Sequence, residues 1–100
     1  MHVNILIDHE KLSECCRKWR IAELALFGSV LRDDFRPDSD VDVLVTFDPS
    51  GGITFDTRVE ILEDLAAIFG RQVDLVEKGT IRNPFRRHSI LTTNEVLYAA

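Results

Sequence analysis

The chain has 100 residues, a length that fits one compact domain and leaves little room for a second. Hydrophobic residues make up 45% and charged residues 29%, which excludes intrinsic disorder, a collagen-like repeat and a disulfide-stapled miniprotein. The net charge of −5 gives no general attraction to nucleic acid or anionic lipid, so neither is expected as a direct partner. We expect a single domain over residues 1–100 whose substrate, if it is an enzyme, is presented by another chain.

The sequence also carries no sign of export or membrane insertion. No window approaches the roughly 18 apolar residues that span a bilayer. Asp8 and Glu10 stand where a secretory signal would be basic and then apolar, so we expect a cytoplasmic location. The two cysteines, Cys15 and Cys16, are adjacent, and we expect them to pack as small core residues on a helix.

The first half of the chain predicts a helix followed by two strands. Asp8 is a plausible N-cap for a helix whose apolar positions are Leu12, Cys15, Cys16 and Trp19. Residues 21–27 predict a buried strand, and a short helical turn follows from Gly28 to Arg32. Alternating valines at 41, 43 and 45 predict a second strand that ends near Phe47, and residues 48–52 predict a turn.

The second half predicts helix, strand and helix. A helix is expected over residues 54–69, starting at Thr54 or Thr57 and closed by Gly70. Its apolar stripe is expected to be core: Phe55, Val59, Leu62, Leu65, Ala66 and Phe69. Residues 72–76 predict a third strand, and Asn83-Pro84 opens a helix to about residue 91. Residues 95–98 fit either an edge strand or the end of that helix. The fold class is α/β (α+β), a small mixed sheet of three to four strands flanked by helices.

Acidic residues in the second and third strands are the strongest chemical signal. Asp40 and Asp42 stand at i and i+2 and so face the same way, in a strand of valines that is a poor place for two carboxylates. Asp74 lies among the aliphatic residues of the third strand and could join them if the two strands pair. Three such carboxylates suit Mg²⁺ and two-metal phosphoryl transfer, whereas an exposed sheet face is the plain alternative.

Gly28-Ser29 adds a second signal at the corner after the first strand. A glycine lets the backbone approach a ligand closely, and free N–H groups at a helix start attract phosphate oxygens. The pair is weak on its own, because Gly-Ser occurs in many turns.

Together, Gly28-Ser29, ten intervening residues and Asp40-Val41-Asp42 form the GS-x10-D-x-D motif. The chain thereby resembles the DNA polymerase β-like nucleotidyltransferases, and in particular the minimal nucleotidyltransferases. The similarity continues through Val73-Asp74-Leu75-Val76 and Arg82-Asn83-Pro84 to Val96-Leu97-Tyr98, so that it covers essentially the whole chain.

The resemblance implies a role for each matched residue. Asp40, Asp42 and Asp74 would bind two Mg²⁺ ions, with Asp74 serving as or supporting the base that activates the acceptor hydroxyl. Gly28 and Ser29 would hold the β- and γ-phosphates of ATP, and the nucleotide would be flanked by two further residues, Arg32 and Ser39. One departure is Asp33, which stands where many relatives have glycine and leaves nucleotide affinity open.

Stand-alone members of this group resemble the antitoxin of prokaryotic toxin–antitoxin pairs. The resemblance therefore implies transfer of AMP from ATP to a HEPN ribonuclease toxin, typically to a tyrosine. Two alternatives stay open: an antitoxin that works by binding alone, and a nucleotidyltransferase that acts on a small molecule or an RNA end. The basic stretch Arg82, Arg86, Arg87 and His88 could contact triphosphate, RNA or an acidic partner, or be a solvated helix face.

Overall fold

The computed structural model describes residues 5–32, 35–36, 39–49 and 52–100. Three helices and four strands follow one another along them: α1 (His9–Lys18), β1 (Ile21–Phe27), β2 (Val41–Phe47), α2 (Phe55–Phe69), β3 (Val73–Glu77), α3 (Pro84–Thr92) and β4 (Asn94–Ala99). Short 3₁₀ turns occupy Gly28–Leu31 and Lys78–Thr80. Residues 33–34, which include the departure from the family pattern, and residues 50–51 of the predicted turn lie outside the described ranges.

The four strands form one mixed sheet in the order β3-β2-β1-β4. β1 is antiparallel to both β2 and β4, whereas β2 and β3 are parallel and are connected through α2. The predicted fold class is therefore confirmed. The C-terminal segment that the sequence left open is an edge strand, because β4 pairs with β1 from Glu23 to Phe27.

Both faces of the sheet are covered. Val41, Val43 and Val45 point into the larger cluster, where they meet buried residues of α1 and α2. The smaller cluster on the opposite face joins four residues from β1, β2 and α3: Ala25, Phe27, Leu44 and Ile90. Cys15 and Cys16 are buried in the larger cluster, as the sequence predicted. Odd-numbered and even-numbered residues of β2 thus face opposite sides of the sheet. Asp42 therefore lies on the α3 face together with Leu44.

The predicted apolar stripe of α2 is wrong at its N-terminal end. The side chains buried against the sheet are Ile61, Leu65 and Phe69, whereas Phe55 is 79% exposed and Val59 39% exposed. A helix advances 100° per residue, so Phe55 and Val59 lie about a quarter turn away from the face that meets the sheet. The helix begins at Thr54, whose Oγ1 accepts a hydrogen bond from the Thr57 N–H at 3.2 Å.

None of the helices in the described ranges has the length and apolar character needed to cross a bilayer.

Candidate active site

The parallel ladder of β2 and β3 brings two of the predicted carboxylates side by side. Asp42 and Asp74 are direct partners in the register, so they lie at the same level on neighbouring strands about 4.8 Å apart. Asp42 is half-buried, and Asp74 is exposed at the edge strand. Asp40 lies just before β2 begins and is exposed. At this end of the strand pair, the Val41 N–H donates a hydrogen bond to the Gln72 carbonyl oxygen at 2.9 Å.

Charges converge on Asp42. The pKa of its carboxyl is raised above the ordinary value of 3.8, first by burial and then by the negative charges of Asp74 and Asp40. Two guanidinium groups, those of Arg86 and Arg32, act in the opposite direction and favour the ionised carboxylate. The half-buried carboxylate of Asp42 therefore has two negative and two positive side chains acting on it.

Gly28 lies directly against Asp42. It follows Phe27, the register partner of Asp42, and has a left-handed backbone conformation with φ of 75°. A β-carbon added at this position would overlap Oδ2 of Asp42. Both the backbone conformation and the close approach therefore require glycine, and the turn that starts here stands beside the carboxylate.

The other predicted nucleotide residues lie in the adjoining turn and loop. Ser29 belongs to the 3₁₀ turn, and its carbonyl oxygen accepts a hydrogen bond from the Arg32 N–H at 2.9 Å. Ser39 is half-buried, and its Oγ accepts from the Arg36 N–H at 3.1 Å, so that this hydroxyl stabilises the turn before Asp40. Arg32 is exposed at the end of the 3₁₀ turn.

The structure does not gather the three carboxylates into one ligand shell. Among the residues that are described, no group of three His, Cys, Asp or Glu side chains is close enough to hold a metal ion. Like charges repel one another, and Asp40 and Asp74 are exposed and free to turn towards solvent. The donor set still fits Mg²⁺: it consists of carboxylate oxygens, and a cation would relieve the repulsion that raises the pKa of Asp42.

An open cavity of about 370 Å³ lies between α2 and the start of β3. Its walls are apolar where Leu62, Ala66 and Val73 line it, on the sheet face that α2 covers. Asp40 and Asp74 are also part of its lining.

Sequence reasoning missed the connection of Arg86 to the site. It noted the basic stretch but did not assign any member of it to the carboxylates. The signal was present: Asn83 caps α3 by accepting from the N–H groups of Phe85 and Arg86, which fixes Arg86 in the first turn. The sequence did not show that this turn faces Asp42.

A half-buried acid on a central strand, a second acid beside it and a glycine-led turn against it are compatible with the chemistry of phosphoryl transfer. The sequence model of the family described as "Nucleotidyltransferase domain" matches residues 9–94. The chain belongs to this family.

Curated relatives support the same assignment. A Methanocaldococcus jannaschii protein, provisionally named a protein adenylyltransferase, is 37% identical over 86 residues, which cover 86% of this chain and 84% of the relative. The protein adenylyltransferase MntA of Thermococcus cleftensis is 35% identical over 80 residues, covering 80% of this chain and 77% of the relative.

Solved structures share the fold. One that is provisionally described as a minimal nucleotidyltransferase is 29% identical with a TM-score of 0.69, covering 86% of this chain and 85% of its own. A toxin–antitoxin structure with AMP-PNP has a TM-score of 0.71 at 21% identity, covering 94% and 75%. A tri-AMPylated HEPN toxin of Shewanella oneidensis in complex with its MNT antitoxin gives a TM-score of 0.63 at 21% identity, covering 92% and 70%. At 21% identity, the two toxin–antitoxin structures show that the fold is shared and no more than that.

Proposed function

We propose that this chain is a Mg²⁺-dependent protein adenylyltransferase that transfers AMP from ATP to a hydroxyl of a HEPN ribonuclease toxin and so acts as its antitoxin. The observation that carries the proposal is the alignment of Asp42 with Asp74, with Gly28 against Asp42. Family membership supports a transferase activity. Protein adenylylation and the toxin partner come from the relative named MntA and from the toxin–antitoxin neighbours, whose activities we extend to this chain.

Each matched residue then has a task. Asp40, Asp42 and Asp74 would hold two Mg²⁺ ions, which when bound neutralise the charge of the triphosphate and of the transition state. The backbone of Gly28 and the hydroxyl of Ser29 would receive the β- and γ-phosphates.

Positive charge would serve the same nucleotide. Arg86 and Arg32, whose charges reach Asp42, would bind triphosphate oxygens beside the carboxylates. Ser39 would keep the loop before Asp40 in place and flank the nucleotide.

In the reaction, the acceptor hydroxyl oxygen attacks the α-phosphorus of ATP. A new phosphorus–oxygen bond forms to the acceptor, and the bond between the α-phosphorus and the β-phosphate oxygen breaks. Pyrophosphate leaves, and the hydroxyl proton passes to a carboxylate, for which Asp74 at the exposed strand edge is our candidate. AMP thus becomes esterified to the acceptor.

We further propose that residues 1–100 form one minimal nucleotidyltransferase domain that works in the cytoplasm. The sheet that carries Asp42 and Asp74 has one core cluster on each face, and both clusters include residues of its strands. This arrangement supports a single folding unit. This chain would form a hetero-oligomer with the toxin that carries the acceptor, and a homo-oligomer of this chain is the alternative assembly.

The test is transfer of AMP to the product of the adjacent gene, which the proposal expects to be a HEPN protein. The two proteins are incubated with labelled ATP and Mg²⁺, and the intact mass of the HEPN protein is measured. We expect a gain of one or more AMP units, accompanied by loss of ribonuclease activity.

The control for this experiment is Asp42→Asn, which removes one charge and keeps the shape of the side chain. Loss of one metal ligand should lower the transfer rate by about a thousandfold or more. A tight complex that inhibits the ribonuclease with no mass gain would show instead an antitoxin that works by binding. Transfer to RNA or to a small molecule alone would point to the third function considered above.

A further inference from the structure

Arg71 lies at the end of α2 and reaches residues that precede Asp40. Its backbone position is set by the helix C-terminus, where the N–H groups of Gly70 and Arg71 donate to the Ala66 carbonyl oxygen at 2.8 and 3.3 Å. From there its half-buried side chain extends to Phe35 and Arg36. Arg71 therefore connects the end of α2 to the part of the chain that leads into β2.

The guanidinium of Arg71 makes two contacts there. Its central carbon lies 4.5 Å from the centroid of the Phe35 ring, within the range of a cation–π interaction. Its Nη1 donates a hydrogen bond to the Arg36 carbonyl oxygen at 2.8 Å. A guanidinium can make both contacts at once, because it is planar and carries its donors at the edge. Phe35 also packs against the larger core cluster, so the ring on which Arg71 lies is itself held in place.

The Arg36 carbonyl oxygen connects Arg71 to Ser39, the residue before Asp40. This oxygen accepts hydrogen bonds from Arg71 and from the Ser39 N–H, at 2.8 and 3.0 Å, which uses both of its lone pairs. The Arg36 N–H in turn donates to Oγ of Ser39 at 3.1 Å. Arg36 and Ser39 thus hold each other through two hydrogen bonds, and Arg71 fixes the oxygen that they share.

The other side of Asp40 is fixed by the residue that follows Arg71. The carbonyl oxygen of Gln72 accepts a hydrogen bond from the Val41 N–H at 2.9 Å. The two neighbours of Asp40 are therefore connected to consecutive positions of the chain, one through Arg36 to residue 71 and the other directly to residue 72. Asp74 follows two residues later, in β3. The end of α2 and the start of β3 thus set where the backbone of Asp40 lies relative to Asp74.

Asp40 depends on such contacts more than Asp42 does. Asp42 lies within β2 and is held by pairing with β1 on one side and β3 on the other. Asp40 precedes the strand and is exposed, and its negative charge and that of Asp42 repel each other. A metal ion that brings such carboxylates together binds more tightly when the backbone already holds them in place, because less freedom is lost on binding.

From these contacts we propose that Arg71 is a positioning residue for the metal site. It holds Phe35 and Arg36 so that Asp40 stands where Mg²⁺ can join it to Asp42 and Asp74. The inference rests on the proposed function, since it requires Mg²⁺ bound by these carboxylates. Arg71 acts through Arg36 and Ser39, and we assign it no contact with the reacting atoms.

The first test measures how Arg71 affects the use of Mg²⁺. Arg71→Met keeps an apolar chain over Phe35 and loses the charge and the hydrogen bond. The affinity for a non-hydrolysable ATP analogue is measured by calorimetry over a series of Mg²⁺ concentrations. We expect the Mg²⁺ concentration at the midpoint to rise about tenfold, the usual cost of losing a residue that orients a metal ligand. Arg71→Lys keeps a cation at this place and should recover part of the shift.

Transfer of AMP should show the same dependence on Mg²⁺. For Arg71→Met we expect the midpoint to shift by a similar factor, whereas the rate at saturating Mg²⁺ falls by less than about threefold, because every metal ligand is still present. A loss of stability alone would not move the midpoint at a temperature where the variant is fully folded.

Arg58→Met is the matched control. Arg58 also donates from its guanidinium to a backbone carbonyl oxygen at 2.8 Å, that of Leu75, and to the carboxylate of Glu77 at 2.6 Å. Its loss should cost stability and leave the Mg²⁺ midpoint within about twofold of the wild type. Equal shifts of the midpoint in Arg58→Met and Arg71→Met would overturn the inference.

The second test follows the chain before Asp40 directly, in the absence of metal and nucleotide. The Ser39 N–H donates to the oxygen that Arg71 fixes, so its hydrogen exchange should be about tenfold faster in Arg71→Met than in the wild type. The Val41 N–H donates to the backbone of Gln72 and should exchange at the same rate in both. Nuclear magnetic resonance measures the two rates.

The outcomes separate this inference from the proposed function. If Arg71→Met leaves the Ser39 exchange rate or the Mg²⁺ midpoint unchanged, the inference is overturned, whatever the acceptor of AMP is. If both change as expected and no AMP reaches the product of the adjacent gene, the role of Arg71 stands and the proposed acceptor is wrong. A wild type in which Mg²⁺ does not raise the affinity for the ATP analogue would refute both.

Discussion

Gly28 opens the turn after β1 and Asp42 lies on β2, and Oδ2 of Asp42 would overlap the β-carbon of any other residue at position 28. The first is the corner that would hold phosphate, and the second is the half-buried carboxylate on the neighbouring strand. Their contact explains in structural terms why the glycine and the acid occur together in the motif. Any side chain at position 28 must displace the carboxylate.

This contact predicts the effect of Gly28→Ala. The left-handed backbone alone costs an alanine about 1–2 kcal/mol, and the overlap with Asp42 adds to that. We expect a lower free energy of unfolding in urea, together with weaker ATP binding and a transfer rate reduced by at least about tenfold.

The matched control is Gly70→Ala, at the end of α2. Gly70 has φ of 69°, but nothing lies within 4 Å of a β-carbon added there. This variant should lose stability through the backbone alone and keep its ATP affinity and transfer rate. Equal loss of activity in both variants would contradict a specific role for the Gly28–Asp42 contact.

The second prediction concerns the cost of ionising Asp42. Its pKa is raised in the folded chain, so the folded state holds the proton more strongly than the unfolded state, and stability is lost as the pH rises through the folded pKa. Asp42→Asn removes this cost. In the absence of metal it should raise the melting temperature at pH 7, by a margin that shrinks as the pH falls towards the ordinary value of 3.8.

Thermal unfolding at a series of pH values in EDTA measures this margin. Glu14→Gln, at an exposed position of α1, is the control and should stay within about 0.5 kcal/mol of the wild type at each pH. Added Mg²⁺ should stabilise the wild type and not Asp42→Asn. A destabilised Asp42→Asn at pH 7 would show that the carboxylate has a structural role.

Most of the fold follows from local patterns, whereas the assembly of the site depends on strand pairing. The bounds of β1 and the caps Asp8 and Asn83 agree with the sequence because each rests on a short stretch of chain. The juxtaposition of Asp42 and Asp74 was conditional on β2 pairing with β3, which local patterns do not determine.

The errors have the same origin. Phe55 was expected in the core because its spacing fits a helical stripe, but the spacing does not say which side of the helix meets the sheet. Arg86 was left among the residues of a basic stretch because only the packing of α3 places it near Asp42. The tertiary arrangement decides both.

The third prediction tests Arg86. Its charge favours ionisation of Asp42, and in our proposal it binds the triphosphate. Arg86→Ala should raise the KM for ATP about tenfold, equivalent to about 1.4 kcal/mol for a lost charge-assisted contact, and Arg86→Lys should recover part of it. Arg87→Ala is the control, because Arg87 lines a separate cavity with Ile81 and Leu91 and should leave the KM unchanged. Equal effects of the two alanine variants would show a general influence of basic charge.

The fourth prediction concerns the two thiols. Burial, followed by the charge of Asp64, raises the pKa of Cys15 to about 11, and burial raises that of Cys16 to about 12. Both are therefore neutral thiols at pH 7.5, and the thiolate is the reactive form. Ellman's reagent should label neither in the folded chain within minutes and both in urea. Fast labelling of one cysteine in the native protein would contradict its burial in the core.

The last prediction concerns the β3 edge of the sheet. Arg58 of α2 donates from Nη1 to Oε1 of Glu77 at 2.6 Å and from Nη2 to the carbonyl oxygen of Leu75 at 2.8 Å. The guanidinium thereby covers a backbone carbonyl of the edge strand β3, which would otherwise be open to pairing with another chain.

Arg58→Met keeps most of the side-chain length and loses both hydrogen bonds. It should lower the free energy of unfolding by about 1–2 kcal/mol, after allowance for solvent screening of a half-exposed ion pair, and should increase aggregation on mild heating. Arg58→Lys should restore the charge but only one of the two contacts, and so recover about half of the loss. Urea unfolding and light scattering measure the two effects, and an Arg58→Met variant as stable and as soluble as the wild type would show that the pair contributes nothing to the edge.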